Sequence, residues 1–162
     1  NCARTGSMDD NWASLEPGWK LVDPTLSASE SIILQGGIDP NLSILVLLRG
    51  KRTVEISAEA FSQHEQIFER SLASVMRGSI LDALSSNGMA VAAATDDQEA
   101  LRICNLSIAS GAIAAGISGS GPSIAIVCYQ EDSTSLSKLF SESGLEVIST
   151  GIYVKDEISE VQ

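Results

Sequence analysis

Glycines alternate with serines and end at a proline in Gly116-Ile117-Ser118-Gly119-Ser120-Gly121-Pro122-Ser123. A loop with so few side-chain atoms lets its backbone approach another surface closely. Its amides can line a concave anion site, with Ser118, Ser120 and Ser123 adding hydroxyl donors. The same run also suits a tight connection between two core strands, because glycine-rich motifs arise often by chance. Two other patches carry reactive residue types. Thr5-Gly6-Ser7-Met8-Asp9-Asp10-Asn11 offers carboxylates, although an Asp-Asp-Asn run by itself reads as a turn or helix cap. Arg49, Lys51 and Arg52 form a basic cluster, which is either a solvated loop or a receptor for a carboxylate through paired hydrogen bonds. Arg49 is the best placed of the three, since it directly follows an apolar run.

These residues need elements to hold them. Ala112 to Ile117 leads into the glycine run and Ile124 to Tyr129 leads out, each an apolar segment fit for a buried strand. Ile44-Leu45-Val46-Leu47-Leu48 reads as another buried strand. Ser57 is a plausible N-cap for a helix that places Phe61, Phe68, Leu72 and Val75 at near-helical intervals. That pattern continues through Ile80, Leu81 and Leu84, with a break near Gly78 and a stop at Asn87-Gly88. Asp96 or Asp97 opens the next helix, with Leu101, Cys104 and Ile108 on one face and Gly111 at its end. A helix from about Ser133 to Ser143 and a strand from Leu145 to Val154 complete the order. Strand, helices, strand, strand, helix, strand implies an α+β fold, an antiparallel sheet with helices on one face.

Residues 1–40 differ in texture: they hold three of the four prolines and both tryptophans. Trp19 to Asp23 and Ser31 to Gln35 look like short strands there, and Pro40-Asn41 after Gly36-Gly37 marks a boundary. The expectation is two domains, residues 1–40 and residues 41–162.

Composition excludes some functions. Ten basic against 21 acidic residues leave a formal charge of −11, which argues against a nucleic-acid binder or an anionic-membrane protein. Much of that acidity lies in exposed-looking places, the tail Asp156-Glu157-Ile158-Ser159-Glu160 among them. Aromatic residues are only 4%, so the core must come from Leu, Ile, Val and Ala. Cys2, Cys104 and Cys128 are odd in number and lack paired spacing, which suggests neither a disulfide framework nor a zinc site. Cys104 and Cys128 read as small core residues. With no stretch of transmembrane length and no secretory signal, the sequence reads as a reduced, soluble, cytoplasmic protein.

The stretch Gly111-Ala112-Ile113-Ala114-Ala115-Gly116-Ile117-Ser118-Gly119-Ser120-Gly121-Pro122-Ser123 resembles the third motif of the GHMP kinases, the superfamily of galactokinase, homoserine kinase, mevalonate kinase and phosphomevalonate kinase. Thr5-Gly6-Ser7-Met8-Asp9-Asp10-Asn11-Trp12-Ala13-Ser14 is similar to the family segment that carries the catalytic aspartate, with Asp9 at the catalytic position. The resemblance implies a ferredoxin-like C-terminal domain at residues 41–162, preceded by the remnant of an N-terminal domain at residues 1–40. Within the superfamily the chain looks most like the archaeal shikimate kinases, on the Asp9 segment, on Leu47-Leu48-Arg49-Gly50-Lys51-Arg52-Thr53 and on the glycine motif. Homoserine kinase is the near competitor, since its third motif reads almost the same.

The resemblance also implies a reaction: ATP-dependent phosphorylation of a shikimate hydroxyl with Mg²⁺, giving shikimate 3-phosphate and ADP. Asp9 would be catalytic. Arg49, Ser118, Gly119, Ser120 and Gly121 would contact the acceptor. The family's phosphate-binding loop, Pro-x-x-x-Gly-Leu-Gly-Ser-Ser, has no match here, so no ATP-gripping or metal residue is assigned. The chain then reads as the C-terminal part of a kinase, inactive without its N-terminal half, with room for a homodimer and no nucleic-acid or membrane partner. A reading of another class is a non-catalytic ferredoxin-like module that binds a small molecule and keeps the glycine loop for packing. That account leaves the Asp9 segment without a purpose.

Overall fold

A computed structural model of the chain describes residues 8–27, 30–51 and 57–154. Cys2, Thr5-Gly6-Ser7, Arg52 and the acidic tail at 156–160 lie outside the described residues. Two compact units emerge. One comprises the described residues up to Pro40 together with Ile152 onward, and the other is Asn41–Gly151.

The first unit contains helix α1 (Met8–Leu15) and strands β1 (Trp19–Val22) and β2 (Ile32–Gly36). The strands form an antiparallel pair with Trp19 opposite Gly36 and Leu21 opposite Leu34. Trp12 ties helix to hairpin: its indole Nε1 donates to the buried Ser31 hydroxyl at 3.1 Å. Lys20 Nζ donates to the carbonyls of Glu16 and Pro17, placing a cation at the end of α1, where the helix dipole favours it. Between the strands, Asp23 Oδ1 accepts from the Thr25 amide and hydroxyl, and these bonds hold its carboxyl below the usual range.

The second unit is the α+β body that the hydrophobic pattern implies. Strand β3 (Leu42–Leu48) leads through α2 (Ala58–Ser62), α3 (Glu65–Met76), α4 (Ile80–Ala94) and α5 (Gln98–Ala109) to strands β4 (Ala114–Ile117) and β5 (Ile124–Tyr129). Helix α6 (Gln130–Glu142) and strand β6 (Glu146–Gly151) follow. The sheet order is β4-β5-β3-β6, every pairing antiparallel, which is the ferredoxin-like arrangement.

Strand periodicity places Leu45 and Leu47 on one face of β3, opposite Ile126 and Ile124 of β5. These four side chains are fully buried against Val91 and Ala92 of α4, Ile103 and Cys104 of α5, and Leu136 and Phe140 of α6. The other face of β3, carrying Ile44 and Val46, is half-buried. Cys104 and Cys128 are small buried core residues, and burial pushes the Cys104 thiol up to about 11. Among the described residues no helix is long and apolar enough to cross a membrane.

Local chemistry sets several helix ends. Ser57 caps α2 by accepting from the Ala60 amide, and Asp97 caps α5 by accepting from the Ala100 amide at 2.9 Å. The chain breaks at Gly78, whose φ is +79°. Several boundaries differ from the sequence reading. A further break at Gln63–His64 separates α2 from α3, α6 starts at Gln130 rather than near Ser133, and β6 ends at Gly151 rather than Val154. The buried face of α5 is Ala100, Ile103, Cys104 and Ser107, so Ile108, expected inward, is 40% exposed. Asn87-Gly88 is not a stop at all: α4 runs through it to Ala94. Gly88 is instead a contact point, since a Cβ on Gly116 of β4 would lie 2.9 Å from both the Gly88 Cα and the Leu84 carbonyl oxygen. Alongside that contact, the Ala115 amide of edge strand β4 donates to Ser85 Oγ of α4 at 3.2 Å, so α4 blunts the sheet edge.

Candidate functional site

The glycine–serine run is the loop from β4 to β5. Its ends are closed by the Ser118 amide donating to the Ser123 carbonyl at 2.9 Å, and its turn by the Gly121 amide donating to the Ser118 carbonyl at 3.0 Å. Gly119 and Gly121 have φ of +57° and +79°, which side chains adopt with strain. The Gly121–Pro122 peptide is cis. A Cβ on Gly119 would meet nothing within 4 Å, so backbone conformation, not crowding, calls for glycine there. Ser118, Gly119 and Ser120 are exposed, and Gly121 is half-buried. The loop thus leaves Ser118, Gly119 and Ser120 exposed, and serine hydroxyls beside bare backbone suit oxyanions.

Beside the loop lies a cavity of about 390 Å³, lined by Arg49, Asp97, Glu99, Ile117, Ser120 and Gly121 among others. Arg49 dominates its chemistry. Its side chain is 9% exposed and the guanidinium is bidentate to Asp97, with Nη1 to Oδ2 at 2.7 Å and Nη2 to Oδ1 at 2.8 Å. Nη2 also donates to Glu99 at 2.8 Å and Nη1 to the Pro122 carbonyl at 3.2 Å. These four bonds account for all four Nη hydrogens. The remaining donor, Nε, is buried with no hydrogen-bond partner. The hydrogen bond to Asp97 drives the Arg49 pKa above its ordinary value, and the same bond holds the Asp97 carboxyl below the usual range.

Arg49, Ser120 and Gly121 therefore meet at one cavity, while Ser118 and Gly119 lie on the exposed crest of the same loop. Asp9 is placed by its backbone in the first turn of α1, in the other unit. Lys51 lines the cavity as well. The residue that sequence reading missed as part of this site is Asp97. Its N-cap position was legible, but its pairing with a cation 48 residues away leaves no local pattern. His64 takes no part in the site: it precedes α3, with Nδ1 3.0 Å from the Ala60 carbonyl. Among the described residues no group of three or more His, Cys, Asp or Glu could hold a metal ion.

No family model and no curated protein matches the sequence. Solved structures do match. A phosphotransferase related to the CoA biosynthesis pathway superposes with a TM-score of 0.59 at 13% identity, over 75% of this chain and 41% of its own. Homoserine kinase from Cytophaga hutchinsonii matches with a TM-score of 0.52 at 18% identity, over 86% of this chain and 49% of its own. Mevalonate kinase from methicillin-resistant Staphylococcus aureus matches with a TM-score of 0.52 at 13% identity, over 72% and 43%. The chain shares an α+β fold with part of each of these structures. It spans less than half the length of each of these structures. The β4–β5 loop carries the glycine–serine run, and the cavity beside it is where Arg49 and Asp97 meet.

Proposed function

We propose that this chain is the C-terminal part of an ATP-dependent small-molecule kinase, with shikimate as the acceptor and shikimate 3-phosphate and ADP as products. The observation that carries the reading is the exposed glycine–serine loop between β4 and β5, set in a fold shared with kinase structures. The acceptor rests on the resemblance of the Asp9 segment and of Leu47 to Thr53 to the archaeal shikimate kinases.

When bound, ATP supplies the phosphoryl group and Mg²⁺ neutralises charge on its oxygens. The loop suits a phosphate: the Ser118 and Ser120 hydroxyls are donors of the right kind, and the missing side chain at Gly119 leaves room for close approach. No described residue is assigned to the metal. The remaining work belongs to the chain's own groups. Asp9 would orient the acceptor hydroxyl and take its proton as the oxygen bonds to phosphorus and the bond from phosphorus to the departing ADP oxygen breaks. A carboxylate accepts a hydroxyl proton only late in the transfer, so its positioning outweighs its basicity. In this reading the loop would hold the transferring phosphoryl group, since positioning together with charge neutralisation supplies nearly all of the rate in phosphoryl transfer.

An ADP-release assay on the full-length protein, with shikimate, homoserine and mevalonate in parallel, tests this reading. Shikimate-dependent release is the expected outcome. Release with homoserine alone overturns the acceptor and leaves the kinase standing, whereas no release with any hydroxyl acceptor overturns the kinase.

A further inference from the structure

The register of the sheet puts Arg49 across from the end of the glycine loop. Leu47 pairs with Ile124, so Arg49, two residues beyond, stands opposite Pro122, two residues before. Proline has no amide hydrogen to offer a neighbouring strand, and the ladder cannot continue through it in the usual way. The Arg49 side chain takes over at that point: Nη1 donates to the Pro122 carbonyl at 3.2 Å. The same Nη1 donates to Asp97, whose Oδ1 is itself fixed by the Ala100 amide at the start of α5. Three separate elements, the end of β3, the start of α5 and the end of the loop, are thereby joined through one planar group. Its rigidity matters, because a glycine-rich loop has the most conformational freedom to lose and needs ties from outside. Asp97 and Glu99 differ within the cluster: the Asp97 side chain is 18% exposed and bidentate, while Glu99 is 60% exposed and makes one contact.

We propose that Arg49 and Asp97 are positioning residues, a clasp that holds the loop from Ser118 to Ser123 in its working shape. Arg49 acts through the Pro122 carbonyl and does not grip the acceptor's carboxylate. Its Nη hydrogens are spent within the protein, so a ligand carboxylate at that group would have to displace one already there. The inference rests on the kinase reading for what the loop works upon, but the clasp itself can be tested without turnover.

Hydrogen–deuterium exchange on the full-length protein reads the loop directly, through the Ser118 and Gly121 amides that are bonded within it. Arg49→Lys keeps the charge and loses the fork, and Asp97→Asn keeps a good helix cap. Both are expected to speed exchange at those two amides about 10-fold with α4 unchanged, while Glu99→Gln stays within about 2-fold of wild type. With an acceptor that turns over, both substitutions should lower kcat about 10-fold and leave the acceptor KM within about 2-fold. Unchanged loop exchange in Arg49→Lys overturns the clasp. So does a raised acceptor KM at constant kcat, which would make Arg49 a substrate ligand, and so does loosening of α4 along with the loop. A full-length protein that phosphorylates nothing but shows the selective loosening sinks the kinase reading and keeps the clasp.

Discussion

Arg49 carries a charge that the fold has nearly removed from water, and the cost of that removal is met by a bidentate carboxylate together with two further acceptors. Stability should therefore depend on pH through Asp97. Its folded pKa lies below the ordinary value of about 3.9, so the pair stabilises fully above that value and loses its contribution as pH falls through the lower, folded one. Asp97→Asn should lower the urea midpoint clearly at pH 7, and the gap to wild type should shrink between about pH 5 and pH 2, where the wild-type carboxyl itself becomes neutral. A gap that stays constant across that range would show that the ionised carboxylate, and with it the pair to Arg49, is not what the substitution removes. Asp9 belongs to the chemistry in the proposed kinase. Asp9→Asn in the full-length protein should cut turnover by about 10²-fold or more with the acceptor KM little changed, and steady-state kinetics would show it. A cation after a buried strand was visible in sequence as a functional candidate. Its carboxylate partner was not, because pairing across 48 residues is a product of topology and no local spacing encodes it.

Helix α4 shows how a single position can mislead at the scale of elements. Asn-Gly is a good helix terminator, yet here the helix continues because the missing Cβ at Gly88 lets it lie against Gly116 of β4. Backbone-to-backbone approach of this kind is invisible in one sequence, since both glycines look like turn residues. Strands β3 and β5 were legible because their apolar runs are buried, and the caps Ser57 and Asp97 because cap chemistry is local. The face of α5 was read one step off, as the apolar residues spread around more of the helix than the core needs. The crowding at Gly88 gives a graded prediction. Gly88→Ala must push helix from strand and should cost about 2–3 kcal/mol. Gly119→Ala meets open space, and only its positive φ opposes the change, so it should cost about 1 kcal/mol. Urea titrations of the two variants test the order; equal costs would mean that the α4–β4 contact yields easily.

At the scale of the whole chain, the apolar core is unevenly shared. Every buried apolar residue among those described falls within Asn41–Gly151, from Leu42 to Phe140. In the first unit the buried position is Ser31, and the hairpin residues of β1 and β2 are half-buried or exposed. A two-stranded hairpin with one short helix and no buried apolar residue among those described is marginal in water, whereas a four-stranded sheet covered by helices supports cooperative unfolding. The tryptophans make this testable without altering the protein, because Trp12 and Trp19 both lie in the first unit. Tryptophan fluorescence therefore reports on the first unit alone, while far-UV circular dichroism is dominated by the helices of the second. In the 162-residue chain the fluorescence transition should come at clearly lower urea than the dichroism transition. Coincident transitions would mean that the two units unfold as one body, and that the first draws its stability from the core of the second.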